Sequence, residues 1–198
     1  MDETDAGDAN SGTGTLCTGV VTIASSRELA TDEAGEVIGT VLDENGNEIT
    51  VREHVGADYD RVQSIVSRLV ERDDVDVVVT AGSTGVEPSD VTIEAVEPIL
   101  EKELTTFSEL FAVVAYERIG TAVVATRTLA GIAERTPVFC LPGDPDAVRL
   151  ALEEIIVSEA AQLVDRARRD ESASDDDSDA EANDTTDADD SIDVSSGN

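Results

Sequence analysis

Positive charge is scarce in this sequence. Lys102 is its single lysine, and 13 basic residues stand against 45 acidic ones, a formal net charge of −32. Nucleic-acid binders concentrate positive charge, and a surface of the opposite sign repels a polyphosphate backbone at low salt, which argues against a nucleic-acid partner. No apolar run approaches a membrane span, and the acidic N-terminus lacks the basic region and hydrophobic segment of a secretory signal, so the expectation is a cytoplasmic protein with no membrane partner. Two cysteines, Cys17 and Cys140, form no CxxC pair and sit beside apolar sequence, which predicts buried free thiols in a reducing compartment. The single histidine, His54 in REHVG, has no second histidine with which to ligate a metal and is read as an ordinary side chain, without a catalytic assignment.

Carboxylate is abundant. Met1 to Asn10 carries four acidic residues and Asp170 to Asn198 twelve, neither with a basic one, yet the segment between them still holds 29 acidic against 13 basic residues. The bias therefore extends into the folded portion. Such a surface suits a salt-rich cytoplasm, where screening shortens like-charge repulsion, and points to a halophilic source; a specialised acidic binding protein is the alternative. The expected organisation is an acidic flexible tail over 1–14, one domain over 15–169 and an acidic disordered tail over 170–198, whose Ser, Asp and Ala repetition cannot bury enough apolar area to offset chain ordering.

Within the core, TGVVTIAS, VDVVVTA and TPVFCLPG read as short buried strands. Between the first two, Tyr59 to Arg72 sets Val62, Ile65, Val66, Leu69 and Val70 at helical spacing. Thr92 is a candidate N-cap for an amphipathic run that Pro98 should disturb, Leu104 to Tyr116 reads as a further helix, and Asp146 to Val164 as the last. DENGN, Asp43 to Asn47, reads as a surface turn with Gly46 at positive φ. Alternating strands and helices predict a three-layer α/β domain with a mostly parallel central sheet, its ligand crevice beyond the C-terminal strand ends.

The most informative stretch is VVVTAGSTGVEPSDVT, Val77 to Thr92, where an apolar strand meets a glycine-bearing turn and then a helix start. That order gathers backbone N–H groups that favour a phosphate or another anion. Gly82 and Gly85 permit the sharp turn, and Ser83 and Thr84 add short hydroxyls; the pattern is neither GxGxxG nor the Walker sequence with its lysine, so a purely structural turn remains open. Asp90 is placed to ligate Mg²⁺ or orient an attacking group, and equally to satisfy amides at the helix start. A second glycine turn, LPGDPDA from Leu141 to Ala147, joins an apolar strand to the final helix, and the two turns can form opposite walls of one pocket.

Taken together, SSRELATDEAG (Ser25 to Gly35), TAGSTGVEPSDVT (Thr80 to Thr92), TRTLAG (Thr126 to Gly131) and LPGDPDA, in this order between Leu16 and Val164, resemble the molybdopterin-binding family. That family includes the molybdenum cofactor biosynthesis proteins B and Mog and the G domain of gephyrin. The resemblance implies a homotrimer or higher homo-oligomer that binds molybdopterin and, in enzymatic members, uses Mg²⁺ and ATP to adenylylate it, with a molybdenum-insertion protein as a further partner. It aligns Gly82, Ser83, Thr84 and Gly85 with the family's TGGTG loop, Asp90 with the aspartate of its RD pair, Thr126 and Arg127 with a serine and arginine, and Gly143 with the glycine of LPGSPKA. By the same resemblance Asp90 is the first choice for the catalytic or magnesium-linked carboxylate, and Arg127 or the amides around Gly143 receive negative charge.

The departures concentrate on charge. Ala81 and Ser83 replace residues of TGGTG, Ser89 a common arginine, and Asp144 and Asp146 a serine and lysine, while Ala57 stands where active relatives often carry aspartate. Asp58 is the candidate substitute, sharing Mg²⁺ with Asp90. The added carboxylates weaken attraction for phosphate unless cations or screening compensate. Two other readings therefore stand beside the adenylyltransferase: a catalytically weakened molybdopterin-binding carrier or assembly protein, and a structural oligomer with an unused crevice.

Overall fold

β-Branched residues build the sheet, and capping carboxylates start several of the helices that cover it. The computed structural model describes residues 14–24 and 31–169; the remainder, including the acidic tails beyond Gly14 and the first six residues of the Ser25–Gly35 motif, lies outside the described residues. In chain order the elements are β1 (Cys17–Ala24), α1 (Glu33–Glu44), β2 (Glu48–Gly56), α2 (Tyr59–Val70), β3 (Val77–Ala81), α3 (Thr92–Val96), β4 (Lys102–Glu103), α4 (Thr105–Ile119), β5 (Leu129–Ala133), β6 (Thr136–Leu141), α5 (Pro145–Ala151) and α6 (Val157–Arg168).

The strands form one sheet in the order β2-β1-β3-β6-β5-β4. β2, β1, β3 and β6 pair in parallel, and β5 and β4 extend the edge antiparallel. Successive strand residues point to opposite faces, and both faces are covered. Val20, Val77, Val79, Phe139 and Leu141 pack with Ile38 and Val41 of α1, Phe107 and Phe111 of α4, and Val148 of α5. The alternate positions Val21, Val78, Val138 and Cys140 pack with Val62, Val66 and Leu69 of α2 and Ile93 and Val96 of α3. The expected three-layer α/β arrangement is therefore present, with helices on both sides of a mostly parallel sheet. Phe107 and Phe139 meet as a tilted pair, ring centroids 5.2 Å apart. Both cysteines are free; Cys140 is fully buried, and that burial pushes its thiol up to about 12 against a smaller opposing hydrogen bond.

The helix boundaries refine the sequence reading. Asp32, Asp58 and Asp144 each accept a hydrogen bond from a first-turn N–H, capping α1, α2 and α5. Thr92 is not the N-cap of α3: it is the first helical residue, Val91 precedes it without a side-chain cap, and the Thr92 hydroxyl is engaged elsewhere. Pro98 acts as expected, since α3 ends at Val96 and a tight turn follows over Glu97–Ile99. The last helical run continues from α5 to α6 through a wider π-type turn, Leu152–Ile156. Gly46 has φ of 72°, as its turn requires.

Candidate functional site

Ala81 and Leu141 lie opposite one another at the ends of β3 and β6, so the two glycine turns leave the sheet side by side. Gly82 N–H donates to the Leu141 carbonyl at 3.0 Å, stitching the exits together. At Gly82, φ is 102°, and a Cβ would run into the Ile23 carbonyl of β1; a Cβ on Gly143 would lie 3.0 Å from Gly82 Cα. Glycine at these two places permits close backbone approach.

The turn after β3 is shaped by what holds its carbonyls. The Thr92 hydroxyl donates to Gly82 O at 2.7 Å, Thr92 N–H to Ser83 O at 2.9 Å, and Arg127 Nη1 to Gly85 O at 3.1 Å. In a trans peptide the following N–H points opposite to the carbonyl, and the described chain has no cis bond. Tethering those three carbonyls therefore turns the N–H groups of Ser83, Thr84 and Val86 the other way. None of the three N–H groups has a hydrogen-bond acceptor among the described residues.

Ser83 takes a left-handed φ of 54°, a region that costs a non-glycine residue on the order of 1 kcal/mol. Its hydroxyl offsets this by donating to Ser89 O at 3.2 Å and accepting from Val91 N–H at 3.1 Å. Asp90 closes the turn: Oδ2 accepts from Glu87 N–H at 2.8 Å, while Asp90 N–H donates to Glu87 O at 2.9 Å. A Cβ at Gly85 would come within 2.7 Å of that Oδ2, so Gly85 makes room for the carboxylate.

These residues line a cavity of about 490 Å³, with Ser83 to Glu87, Ser89 and Asp90 on one side, Ala125 to Arg127 and Pro142 to Asp144 on the others, and Ala57 at the margin. Of the predicted site residues it gathers Ser83, Thr84, Gly85, Asp90, Thr126, Arg127 and Gly143. Asp58 is not among the lining residues; its Oδ1 accepts from Arg61 N–H and caps α2. Among the described residues three carboxylates, Glu87, Asp90 and Asp144, line the cavity with one basic residue, Arg127. Arg127 Nη2 also donates to Glu94 Oε1 at 2.8 Å; burial raises the Glu94 pKa, but the guanidinium prevails and holds it below the usual value.

Gly82 lines a second cavity of about 430 Å³, which shares Ser83, Gly143 and Asp144 with the first. Its far side carries Thr22, Asp32 and His54. Thr22 and His54 are opposite in the β1–β2 register, and Thr22 Oγ1 lies 2.7 Å from His54 Nδ1. Asp32 pairs with Arg52 at 2.7 Å; burial opposes its ionisation, but hydrogen bonds from Arg52, Thr22 and the Gly35 N–H outweigh it and lower its pKa. Sequence reasoning left Thr22, Asp32 and Glu94 unassigned. The TDEAG cap pattern signals Asp32 at the α1 start, whereas no local signal joins residues that meet only through strand register or across the loop at 126–128.

Among the described residues no group of three or more histidine, cysteine, aspartate or glutamate side chains is placed to hold a metal, and no helix is long and apolar enough to cross a membrane. The cavity nonetheless suits Mg²⁺ in the manner that ion adopts with phosphates, using one or two carboxylates, several waters and the substrate's own oxygens rather than a protein cage. Asp90 supplies hard oxygen donors at the same cavity as the turn amides that have no acceptor among the described residues.

The profile of a family described as "Probable molybdopterin binding domain" matches residues 14–162. The molybdenum cofactor biosynthesis protein B of Bacillus cereus is 39% identical over 145 residues, 73% of this chain and 86% of that protein. The crystal structure of a molybdenum cofactor biosynthesis protein B superposes with a TM-score of 0.76 at 37% identity, covering 79% of this chain and 98% of that one. The tungsten cofactor synthesizing protein MoaB of Pyrococcus furiosus superposes with a TM-score of 0.70 at 34% identity, covering 78% and 98%.

Proposed function

This chain belongs to the molybdopterin-binding domain family of molybdenum cofactor biosynthesis proteins, and from that premise we propose that it transfers AMP from ATP to the phosphate of molybdopterin. The observation that carries this reading is the tethered turn after β3: its carbonyls are held by Thr92 and Arg127, and its amides, without an acceptor among the described residues, line a cavity with Asp90. Fixed N–H dipoles of this kind stabilise phosphoryl oxygens without reorganising during reaction.

An oxygen of the molybdopterin phosphate attacks the α-phosphorus of ATP, a new P–O–P bond forms, the bond between α- and β-phosphates breaks, and pyrophosphate leaves. Ser83, Thr84 and Val86 N–H groups and the Thr84 hydroxyl bind phosphate oxygens, and Gly143 lets the second turn approach closely enough to limit water. Mg²⁺, when bound, neutralises charge on the nucleotide phosphates. Asp90, already oriented by Glu87 N–H, is the proposed metal-linked carboxylate. Asp58, the other carboxylate expected to share the metal, caps α2 and is not among the lining residues of this cavity. Binding two reactants in fixed relative orientation supplies much of the acceleration in such a transfer. The second cavity shares Ser83, Gly143 and Asp144 with the first, and in this reading it takes the other reactant.

Self-assembly belongs to the same proposal. On α4 and the turn after it, Val113 is 62% exposed, Tyr116 57%, Ile119 51% and Val124 89%, an apolar face that further copies would bury. Light scattering at molar KCl should give a multiple of the monomer mass. For function, purified protein is incubated with ATP, molybdopterin and Mg²⁺ at molar KCl, and the pterin product is followed by mass spectrometry. Magnesium-dependent appearance of the AMP adduct supports transfer. Tight molybdopterin binding without adduct replaces it with the carrier reading, and absence of both sinks the proposal.

A further inference from the structure

Among the described residues Arg127 is the one basic residue lining the cavity, and two of its five guanidinium N–H groups are already engaged within the protein. Nη1 is committed to Gly85 O and Nη2 to Glu94 Oε1, 42 and 33 residues away in sequence. Glu94, in the first turn of α3, does not line the cavity. Its carboxylate fixes the guanidinium from outside, and the guanidinium in turn fixes the Gly85 peptide.

We propose that Arg127 and Glu94 form a strap that aims the phosphate-binding turn, with Arg127 and Glu94 both positioning residues. The inference rests on the phosphate reading of this cavity. Thr92 already directs the Ser83 and Thr84 N–H groups by holding the two preceding carbonyls. Arg127 does the same for Val86 by holding Gly85 O, so the strap completes a set of amides that Thr92 alone leaves one short. It also steadies the backbone beneath the Asp90 carboxylate, which rests against Gly85. A planar guanidinium spans two acceptors in fixed directions, whereas an ammonium is a point charge that cannot hold both in the same geometry.

The test uses the full chain at molar KCl with ATP and Mg²⁺ as the probe, read by calorimetry, together with hydrogen exchange over residues 83–90. Arg127→Lys keeps the charge and loses the span; Glu94→Gln keeps the neutral acceptor; Glu94→Ala removes it. The strap predicts that Arg127→Lys and Glu94→Ala each weaken binding on the order of tenfold and speed exchange in the turn. Glu94→Gln should stay within about threefold, and β3 and β6 should keep their protection in every variant. Wild-type binding by Arg127→Lys alongside loss in Arg127→Ala would make Arg127 a charge receptor and overturn the strap, as would an unchanged Glu94→Ala. If the wild-type chain binds no ATP with Mg²⁺, the functional reading fails. Exchange at the turn then still decides the strap, which falls if Arg127→Lys leaves it unchanged.

Discussion

The two glycine turns emerge from neighbouring parallel strands at the same end of the sheet, yet they treat their backbone amides in opposite ways. After β6, Asp144 caps α5 at once, its Oδ2 accepting from Ala147 N–H at 2.9 Å, so an acidic side chain already fills the start of that helix. After β3, ten residues separate the strand from α3, and protein donors take the carbonyls of Gly82, Ser83 and Gly85 instead. A carboxylate at the first helix start discourages an anion; tethered carbonyls at the other turn leave amides available to one. In the proposed function the turn after β3 is the receptor, and the turn after β6 is its wall.

The largest effect should come from adding a side chain where the turns need bare backbone. Gly82→Ala meets both an unfavourable φ and the Ile23 carbonyl, and should lower stability by about 3 kcal/mol. Gly143→Ala, without a left-handed φ and facing Gly82 Cα at 3.0 Å, should cost only about 1 kcal/mol. Thermal or urea unfolding at molar KCl reads both, and equal losses would erase the asymmetry. Next, Asp90→Asn should reduce AMP transfer about 100-fold, roughly 2.7 kcal/mol in activation free energy, with little change in unfolding midpoint. Retained transfer would remove Asp90 from the chemistry.

Asp144 sharpens the comparison from the other side. Asp144→Ala should cost about 1 kcal/mol of stability through the lost cap. Asp144→Ser keeps a capping oxygen while removing a negative charge from the cavity, and should tighten binding of ATP with Mg²⁺ by roughly threefold. Weaker binding by the serine variant would instead make Asp144 a metal ligand. The smallest effect concerns pH. Because the Glu94 carboxyl titrates below its reference value of 4.5, its contribution is present above that value and disappears as pH falls through the lowered one. Carbon NMR of the Glu94 carboxyl at molar KCl should show Arg127→Ala returning its titration toward 4.5. Titration unchanged by Arg127→Ala would mean that the pair does not persist in solution.

Features with a local cause were legible in the sequence. Apolar runs marked β1, β3 and β6, helical spacing marked α2, and the strand–glycine–aspartate order marked the Ser83 to Asp90 side of the cavity. Two-residue β4 has no periodicity to detect, which kept the last strand of the antiparallel edge out of reach. Thr92 misled because cap propensity is a local rule, whereas the turn curls back far enough for its hydroxyl to reach Gly82 O, ten residues away. Ser83 read as a departure from a glycine loop; the structure shows the serine in the left-handed conformation, its hydroxyl bridging Ser89 and Val91. Arg127 was legible as a cation near the site, but its commitment to Gly85 and Glu94 depends on segments that only the tertiary fold brings together.

The most direct measurement follows backbone amide resonances at molar KCl as ATP and Mg²⁺ are added to the full chain. Shifts and slowed exchange at Ser83, Thr84 and Val86, with Ala147 unmoved behind its Asp144 cap, are the predicted result. Movement at Gly143 and Ala147 with the turn after β3 silent would contradict it.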